Sequence, residues 1–169
     1  MNYRPHGEHR LHCDDDIITA ELLGTWNAEA AEHYGRDLRA HIRRLNGRPW
    51  ARIIDLRGYE LHTPEVIEMG KQFAAWAADN GCAFHCYIYS NALQRDTVKA
   101  MFEDINQARD EATTMEDAVE KCRRALARAA KASGDLQRRQ VDKRCHIHTT
   151  CPLAQVRHHA EARRRKHRF

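Results

Sequence analysis

The hydrophobic and polar positions of the chain switch between a two-residue and a helical period, which predicts strands alternating with helices. Between positions 8 and 24, β-branched and aliphatic residues flank the acidic turn 14–16, as expected for two short strands. Later runs rich in isoleucine, tyrosine and phenylalanine have high β propensity and are short enough to be buried strands. The predicted strands are two within 8–24, followed by 50–56, 83–89 and a short one at 111–113.

Apolar residues at helical spacing predict four helices between and after these strands. Asn27 is suited to cap the first helix, and Ser90 or Asn91 the third. Asn-Gly pairs follow the first two helices, as is usual at left-handed C-terminal caps, and Ser133-Gly134 is expected to end the last. The third helix should turn Leu93, Val98, Met101, Phe102 and Ile105 inward. The helices are predicted over 28–46, 63–79, 92–108 and 114–132.

This order of elements predicts an α/β fold in which four to five mostly parallel strands pack with four helices. The strand 50–56 should lie centrally, and a loop should lead from it to a helix that begins at Thr63. The Thr63 hydroxyl can cap that helix, and Pro64 suits its first position. Because open α/β sheets place functional groups where strands give way to helices, we expect the segment 57–66 to face solvent and carry function.

Residues 10–130 resemble a STAS domain, the fold of sulfate-transporter tails and anti-sigma-factor antagonists. The chain is most similar to an uncharacterised bacterial branch of that family, in which Gly24-Thr25-Trp26-Asn27 leads into the first helix. The matching segments are the strand that ends at Gly24, the helix 28–45, the strand 53–56, the helix start 63–65, the tyrosine-rich strand, and 114–118 at the start of the last helix.

The resemblance implies a regulatory module that binds a protein partner through the segment 57–66. In the antagonists the second helix opens with Asp-Ser-Ser/Thr-Gly, whose hydroxyl is phosphorylated. The corresponding segment 61–64 keeps only Thr63, because the flanking Asp and Gly are absent. Thr63 is therefore either a phosphoacceptor or a structural cap. The expected partner-binding residues are Trp26, Arg57, Tyr59, His62, Thr63, Glu65 and Asn91.

Aromatic residues of this region allow two interpretations. Trp26 and Tyr59 either anchor a partner from loops or cover helix edges as core, whereas Trp76 is expected in the core. His62 and Asp55 are a conceivable acid–base pair, but no nucleophile with a matched base accompanies them, so we expect no enzyme and no cofactor.

The charge of the chain is concentrated at its C-terminus. Residues 1–134 carry 18 Lys/Arg against 21 Asp/Glu, a net charge of −3, whereas 135–169 carry 10 against 3, a net charge of +7. We therefore predict a domain over 1–134 and a basic, His/Arg-rich extension over 135–169, mobile or partly helical. This extension is an alternative site for nucleic acid or another anionic surface. Its weak zinc-ligand candidates are Cys145, His148, Cys151 and His158, although their spacing is too short for two separated ligand pairs.

The remaining features concern the cellular location of the protein and the alternative class of ligand. No apolar run is long enough for a membrane span, and the N-terminal residues lack the apolar region of a signal peptide. Six scattered cysteines indicate reduced thiols and a cytoplasmic protein, while the oligomeric state stays open. The main alternative to a partner-binding module is one that binds a small molecule or lipid. An apolar cavity beside the helix at 64–79 would favour that alternative, and a flat, closed surface would favour a protein partner.

Overall fold

A five-stranded sheet forms the centre of the protein in this computed structural model, which describes residues 6–103 and 107–149. The spatial order follows the chain, with β1 pairing antiparallel to β2 and the remaining neighbours pairing in parallel. This arrangement confirms the predicted α/β class and its mostly parallel sheet. The strands are β1 (Glu8–Asp14), β2 (Ile17–Trp26), β3 (Trp50–His62), β4 (Cys82–Ile88) and β5 (Arg109–Ala112).

Four helices complete the described chain, and two of their caps are the predicted asparagines. The Asn27 side chain accepts a hydrogen bond from the Ala30 N–H at 3.1 Å, and Asn91 accepts one from the Gln94 N–H at 2.9 Å. Each bond satisfies a donor that the first helical turn leaves without an intrahelical partner. The helices are α1 (Ala28–Arg44), α2 (Pro64–Asp79), α3 (Ala92–Met101) and α4 (Met115–Thr149).

The central strands of the sheet are buried on both faces. Trp50 and Ile54 of β3 point to the face that packs against α1, α2 and α3, whereas Ala51 and Ile53 point to the face covered by Ala118 and Cys122 of α4. The two-residue alternation of a strand produces this division. Because β3 is central, both of its faces are dry, which explains why its sequence is nearly continuously apolar.

The predicted loop over 57–62 is wrong, because β3 continues to His62. Leu23, Gly24 and Trp26 of β2 pair with Gly58, Tyr59 and His62, after a register shift that follows the pair Glu21–Asp55. Gly58 therefore marks an irregularity within the strand and not its end, a known role of glycine in strands. The strand consequently carries the residues expected on a loop to the corner where α2 begins.

Helices α3 and α4 also differ from the prediction. α3 ends at Met101, and Leu93 is 76% exposed because it lies about 140° around the helix from the buried Val98. α4 continues past Ser133-Gly134 to Thr149, so these residues do not end it. The chain divides into two units, Met1–Ala130 and Lys131–Phe169, and the described residues 131–149 of the second unit are helical.

Candidate functional site

A cavity of about 820 Å³ lies on the face of the sheet that carries α1, α2 and α3. Its walls are largely apolar and include Leu22 of β2, Tyr34 of α1, Ile54 of β3, Phe73 of α2 and Val98 of α3. Because buried residues of the core and exposed residues of the rim both line it, the cavity is a cleft that extends from the surface into this half of the domain. It lies beside α2, where an apolar cavity favours a small-molecule or lipid ligand and a closed surface would favour a protein partner.

The most unusual residue of the lining is Arg52, which occupies an inward position in the middle of β3. Its side chain is only 4% exposed, and its guanidinium lies 5.0 Å from the centroid of the Phe73 ring. Nη1 donates to the Tyr34 hydroxyl at 3.2 Å, and Nη2 donates to Nδ1 of His85 at 2.9 Å. Nε is buried without a hydrogen-bond partner. Within the described residues, no Asp or Glu forms an ion pair with this cation.

His85, the hydrogen-bond partner of Arg52 Nη2, is neutral in the folded protein. An arginine can only donate, so Nδ1 must accept and the ring proton must lie on Nε2, which faces the Cys82 Sγ at 3.2 Å. Burial lowers the pKa of His85 well below its ordinary value, and the Arg52 charge lowers it further. Burial also raises the pKa of the Cys82 thiol to about 11, so this neighbour is a neutral thiol near pH 7. Neither residue supplies a negative charge to balance Arg52.

The rim of the cavity lies at the corner between β3 and α2, opposite the start of α3. Leu61 and Leu93 lie on this rim and are 67% and 76% exposed, which is unusual in this fold because most of its large apolar side chains are buried. Gln94 fixes the two sides of the rim together, because its side-chain amide donates to the carbonyls of Leu56 at 3.0 Å and Tyr59 at 2.6 Å. These two hydrogen bonds could not be predicted from the sequence, since a glutamine in the first turn of a helix carries no signal of a distant partner.

Four of the predicted partner-binding residues lie in the lining of this cavity, namely Trp26, Tyr59, His62 and Asn91. Trp26 is only 2% exposed, and Tyr59 is half-buried in the strand, with a hydroxyl pKa raised by burial. Nδ1 of His62 is buried without a hydrogen-bond partner. Trp26, Tyr59 and His62 are therefore at least half-buried at the cavity, whereas Asn91 is exposed at its rim and caps α3.

Arg57 and Asp55 form a local clamp outside the lining. The Arg57 side chain donates to Asp55 from Nε at 2.9 Å and from Nη2 at 2.6 Å, and its backbone N–H donates to the same carboxylate at 3.1 Å. Burial alone would raise the pKa of Asp55, but these hydrogen bonds hold the pKa below its usual value. Asp55 is thus paired with Arg57 and not with His62, which removes the acid–base pair considered from the sequence.

Thr63 occupies the N-cap position of α2, but its hydroxyl makes no capping hydrogen bond. The Val66 N–H bonds instead to the Thr63 carbonyl at 3.1 Å, and the buried Oγ1 has no hydrogen-bond partner. The prediction of a side-chain cap is therefore wrong, because the backbone carbonyl has taken the donor that the hydroxyl would use. Pro64 is at the first helical position as predicted, and Glu65 is exposed beside it.

Of the candidate zinc ligands, Cys145 and His148 lie in the helix α4, and Cys151 and His158 lie outside the described residues. In the part of the chain that is described, no group of three or more His, Cys, Asp or Glu residues is arranged to hold a metal ion. Likewise, none of the described helices is long and apolar enough to cross a membrane.

Comparison with known proteins gives matches in structure alone. No protein-family profile and no curated protein sequence matches the chain. An uncharacterised protein of the DUF3478 family with a SpoIIAA-like fold, from Shewanella loihica PV-4, superposes with a TM-score of 0.56 at 12% identity, covering 72% of this chain and 98% of its own. An anti-sigma factor antagonist from Mycobacterium paratuberculosis gives 0.50 at 12% identity, covering 69% and 94%.

A further solved structure, the anti-sigma factor antagonist SpoIIAA in its unphosphorylated form, gives a TM-score of 0.50 at 13% identity and covers 69% of this chain and 98% of its own. Nearly the whole of each of these proteins is thus matched by the α/β part of the chain. The sequence resemblance and the superpositions agree on one architecture. The chain contains a STAS-like domain with the fold of the SpoIIAA-like anti-sigma factor antagonists.

Proposed function

We propose that the protein is a non-enzymatic regulatory module of STAS type that binds a small, largely apolar molecule in the cavity beneath α1, α2 and α3. The observation that carries this proposal is the cavity itself. Its volume of about 820 Å³ falls within the roughly 300–1,000 Å³ that ligand pockets occupy. A domain of this size would be more stable with the gap filled by side chains, so an unfilled apolar gap indicates a binding role.

The proposed pocket has the composition of a ligand site. Apolar and aromatic side chains form most of its walls, and a small number of polar groups lie among them, including the buried Arg52 and His62. Such a mixture lets burial supply affinity while the polar groups fix orientation. The mouth lies at the corner between β3 and α2, so occupancy of the pocket can be sensed at the surface. We place this module in the cytoplasm, where the buried thiols of Cys82, Cys86 and Cys122 stay reduced.

A cavity-filling substitution tests this function. Ala31 is half-buried on α1 and lines the cavity, whereas Ala75 is exposed on α2 and does not. Wild type should bind the neutral dye Nile red saturably, and Ala31→Trp should weaken that binding by roughly tenfold or more, since the indole occupies the space of the dye. Ala75→Trp should bind as wild type does. Fluorescence titration measures the affinities, and circular dichroism confirms that each variant is folded.

Two results would contradict the pocket. One is the absence of saturable dye binding to folded wild type. The other is equal affinity of wild type and Ala31→Trp, which would locate the dye elsewhere on the protein. Both results can be interpreted without knowing the natural ligand, because the test compares dye binding between two alanine-to-tryptophan variants.

A second function, docking of a protein partner at the segment 57–66, is favoured by one observation. Leu61 and Leu93 place two exposed apolar side chains on the same rim, and the exposed Glu65 lies in the first turn of α2 at this corner. Apolar anchors with a charged surround are typical of interaction surfaces. Phosphorylation of Thr63 would add charge at this corner and modulate docking, and it requires the buried Oγ1 to become exposed to a kinase. The basic extension 135–169 remains a predicted alternative site for anionic partners.

The docking proposal predicts that Leu61→Glu abolishes partner capture while leaving the fold intact. The leucine is exposed, so its replacement should change the free energy of unfolding by less than about 0.5 kcal/mol. The control is His12→Glu, which introduces the same carboxylate at an exposed position of the edge strand β1, away from this rim. Crosslinking in the native host followed by mass spectrometry compares the three proteins. Recovery of the same crosslinked partner by Leu61→Glu would remove this corner from the interface.

A further inference from the structure

Arg52 is a buried cation whose balancing charge the described chain does not provide. Each of its nearest polar neighbours is neutral: the hydroxyl of Tyr34, the imidazole of His85, and the thiol of Cys82 beyond it. Burying an ionised group without a counter-ion is costly, and proteins usually supply one. Tyr34 and Tyr87 lie close to this cation, but the pKa of each hydroxyl is raised by burial, to about 12 for Tyr87, so neither is ionised near pH 7.

The hydrogen-bonding capacity of Arg52 is also incomplete. A guanidinium has five N–H donors in one plane. One on Nη1 and one on Nη2 are used by Tyr34 and His85, while Nε is buried without a partner. A carboxylate can accept two parallel N–H bonds from such a fork, and Arg–carboxylate pairs in proteins frequently have this bidentate geometry.

Arg52 lines the cavity, so the missing anion can come from a ligand. We propose that the molecule bound in the cavity is an amphipathic monocarboxylate, with its carboxylate on Arg52 and its apolar body between α1, α2 and α3. This inference rests on the proposed function, since it names the chemistry of the ligand for the same pocket. The apolar walls suit the hydrocarbon part of such a molecule, and the buried guanidinium of Arg52 suits its carboxylate.

The charges of the lining favour one negative charge over two. Besides Arg52, the lining contains the half-buried Arg39 and two carboxylates, of the exposed residues Glu32 and Glu60. Arg39 lies over the rings of Phe73 and Trp76 at 5.4 and 5.0 Å, which places it at the edge of the aromatic wall. A dianionic phosphate monoester would bring a second charge toward Glu32 and Glu60 without a second buried cation. A carboxylate head is therefore assigned, and a phosphate head is the alternative that the experiment separates.

The test compares probes with the same tail and different heads. Dodecanoate, 1-dodecanol and dodecyl phosphate are titrated against wild type below their micelle concentrations, with displacement of Nile red as the readout. Dodecanoate should bind roughly tenfold or more tightly than dodecanol, because only the carboxylate forms charge-assisted bonds. In Arg52→Met this preference should vanish, with dodecanol affinity unchanged. Arg36→Met changes an exposed arginine of α1 outside the lining; it is the control and should keep the preference.

The outcomes separate two claims, that the cavity binds a ligand and that Arg52 binds the head group of that ligand. If dodecanol and dodecanoate bind wild type equally, the cavity is real and the assigned carboxylate is wrong. If Arg52→Met weakens both probes alike, Arg52 supports the fold and does not hold the ligand. Tighter binding of dodecyl phosphate than of dodecanoate assigns a phosphate instead. If the dye binds in the cavity but none of the probes displaces it, the assigned ligand class is wrong, whereas absence of dye binding itself overturns the proposed function. Should Arg52→Met not fold, Arg52→Lys serves, which keeps the charge but loses the planar fork, and a reduced carboxylate preference is expected.

Discussion

Trp26→Ala is expected to lower the free energy of unfolding by about 3–5 kcal/mol, the range for truncating a fully buried aromatic side chain. The indole is 2% exposed at the end of β2. Its ring packs edge-on against Tyr34 with centroids 5.7 Å apart and lies 6.1 Å from Tyr59. A Cβ on Gly7 would come within 2.6 Å of its Cδ1, so the N-terminal backbone also closes on the ring. Truncation removes these contacts together and enlarges the existing cavity.

Two control variants make the Trp26 result specific. Trp26→Phe keeps most of the ring but loses the hydrogen bond from Nε1 to the Leu23 carbonyl, 3.0 Å long, and should cost about 1–2 kcal/mol. Trp76→Ala removes an indole that is only half-buried and should cost less than Trp26→Ala. Urea unfolding followed by circular dichroism measures all three. A loss below about 1 kcal/mol for Trp26→Ala would contradict the assignment of this residue to the core and restore the surface-anchor interpretation.

The order of elements was predictable because it follows from local chemistry. The period of apolar residues distinguishes strands from helices, and the caps at Asn27 and Asn91 need only the neighbouring N–H groups. The prediction failed where a distant strand decides the outcome. Arg57-Gly58 has the composition of a loop, but pairing of Gly58 with Leu23 keeps the segment in β3. The hydroxyl of Thr63 failed as a cap for a local reason, since the carbonyl of the same residue accepts the hydrogen bond from Val66.

The candidate site was only partly visible in the sequence. Trp26, Tyr59, His62 and Asn91 were selected from their positions near strand ends, and they do lie together around one cavity. Arg52 was missed, although it carries a readable signal: a charged residue between Trp50 and Ile54, at an inward position of a strand expected to be buried. The cavity itself has no sequence signature, because its volume depends on how far α1, α2 and α3 stand from the sheet.

The protonation state of His85 connects this site to stability. Its neutral form accepts a hydrogen bond from Arg52, and protonation would place a second buried cation 2.9 Å from the first. The native protein therefore resists protonation, and the pKa of His85 lies well below its model-compound value of 6.5, first because of burial and then because of Arg52 and Arg109. In the unfolded chain this histidine should titrate near the ordinary value of about 6.5.

We therefore expect the free energy of unfolding to fall as the pH drops below about 6.5, because His85 then binds a proton in the unfolded state but not in the native state. The His85 contribution should be absent above that pH, should grow by up to about 1.4 kcal/mol per pH unit, and should level off below the native pKa. His85→Asn keeps an acceptor for Arg52 without a titrating group, so the difference between wild type and this variant isolates the effect from the other histidines. Urea unfolding of both proteins from about pH 7.5 to pH 5 measures that difference. A difference that is constant across this range would contradict a neutral native His85, as would an imidazole nitrogen spectrum showing both ring nitrogens protonated at pH 6.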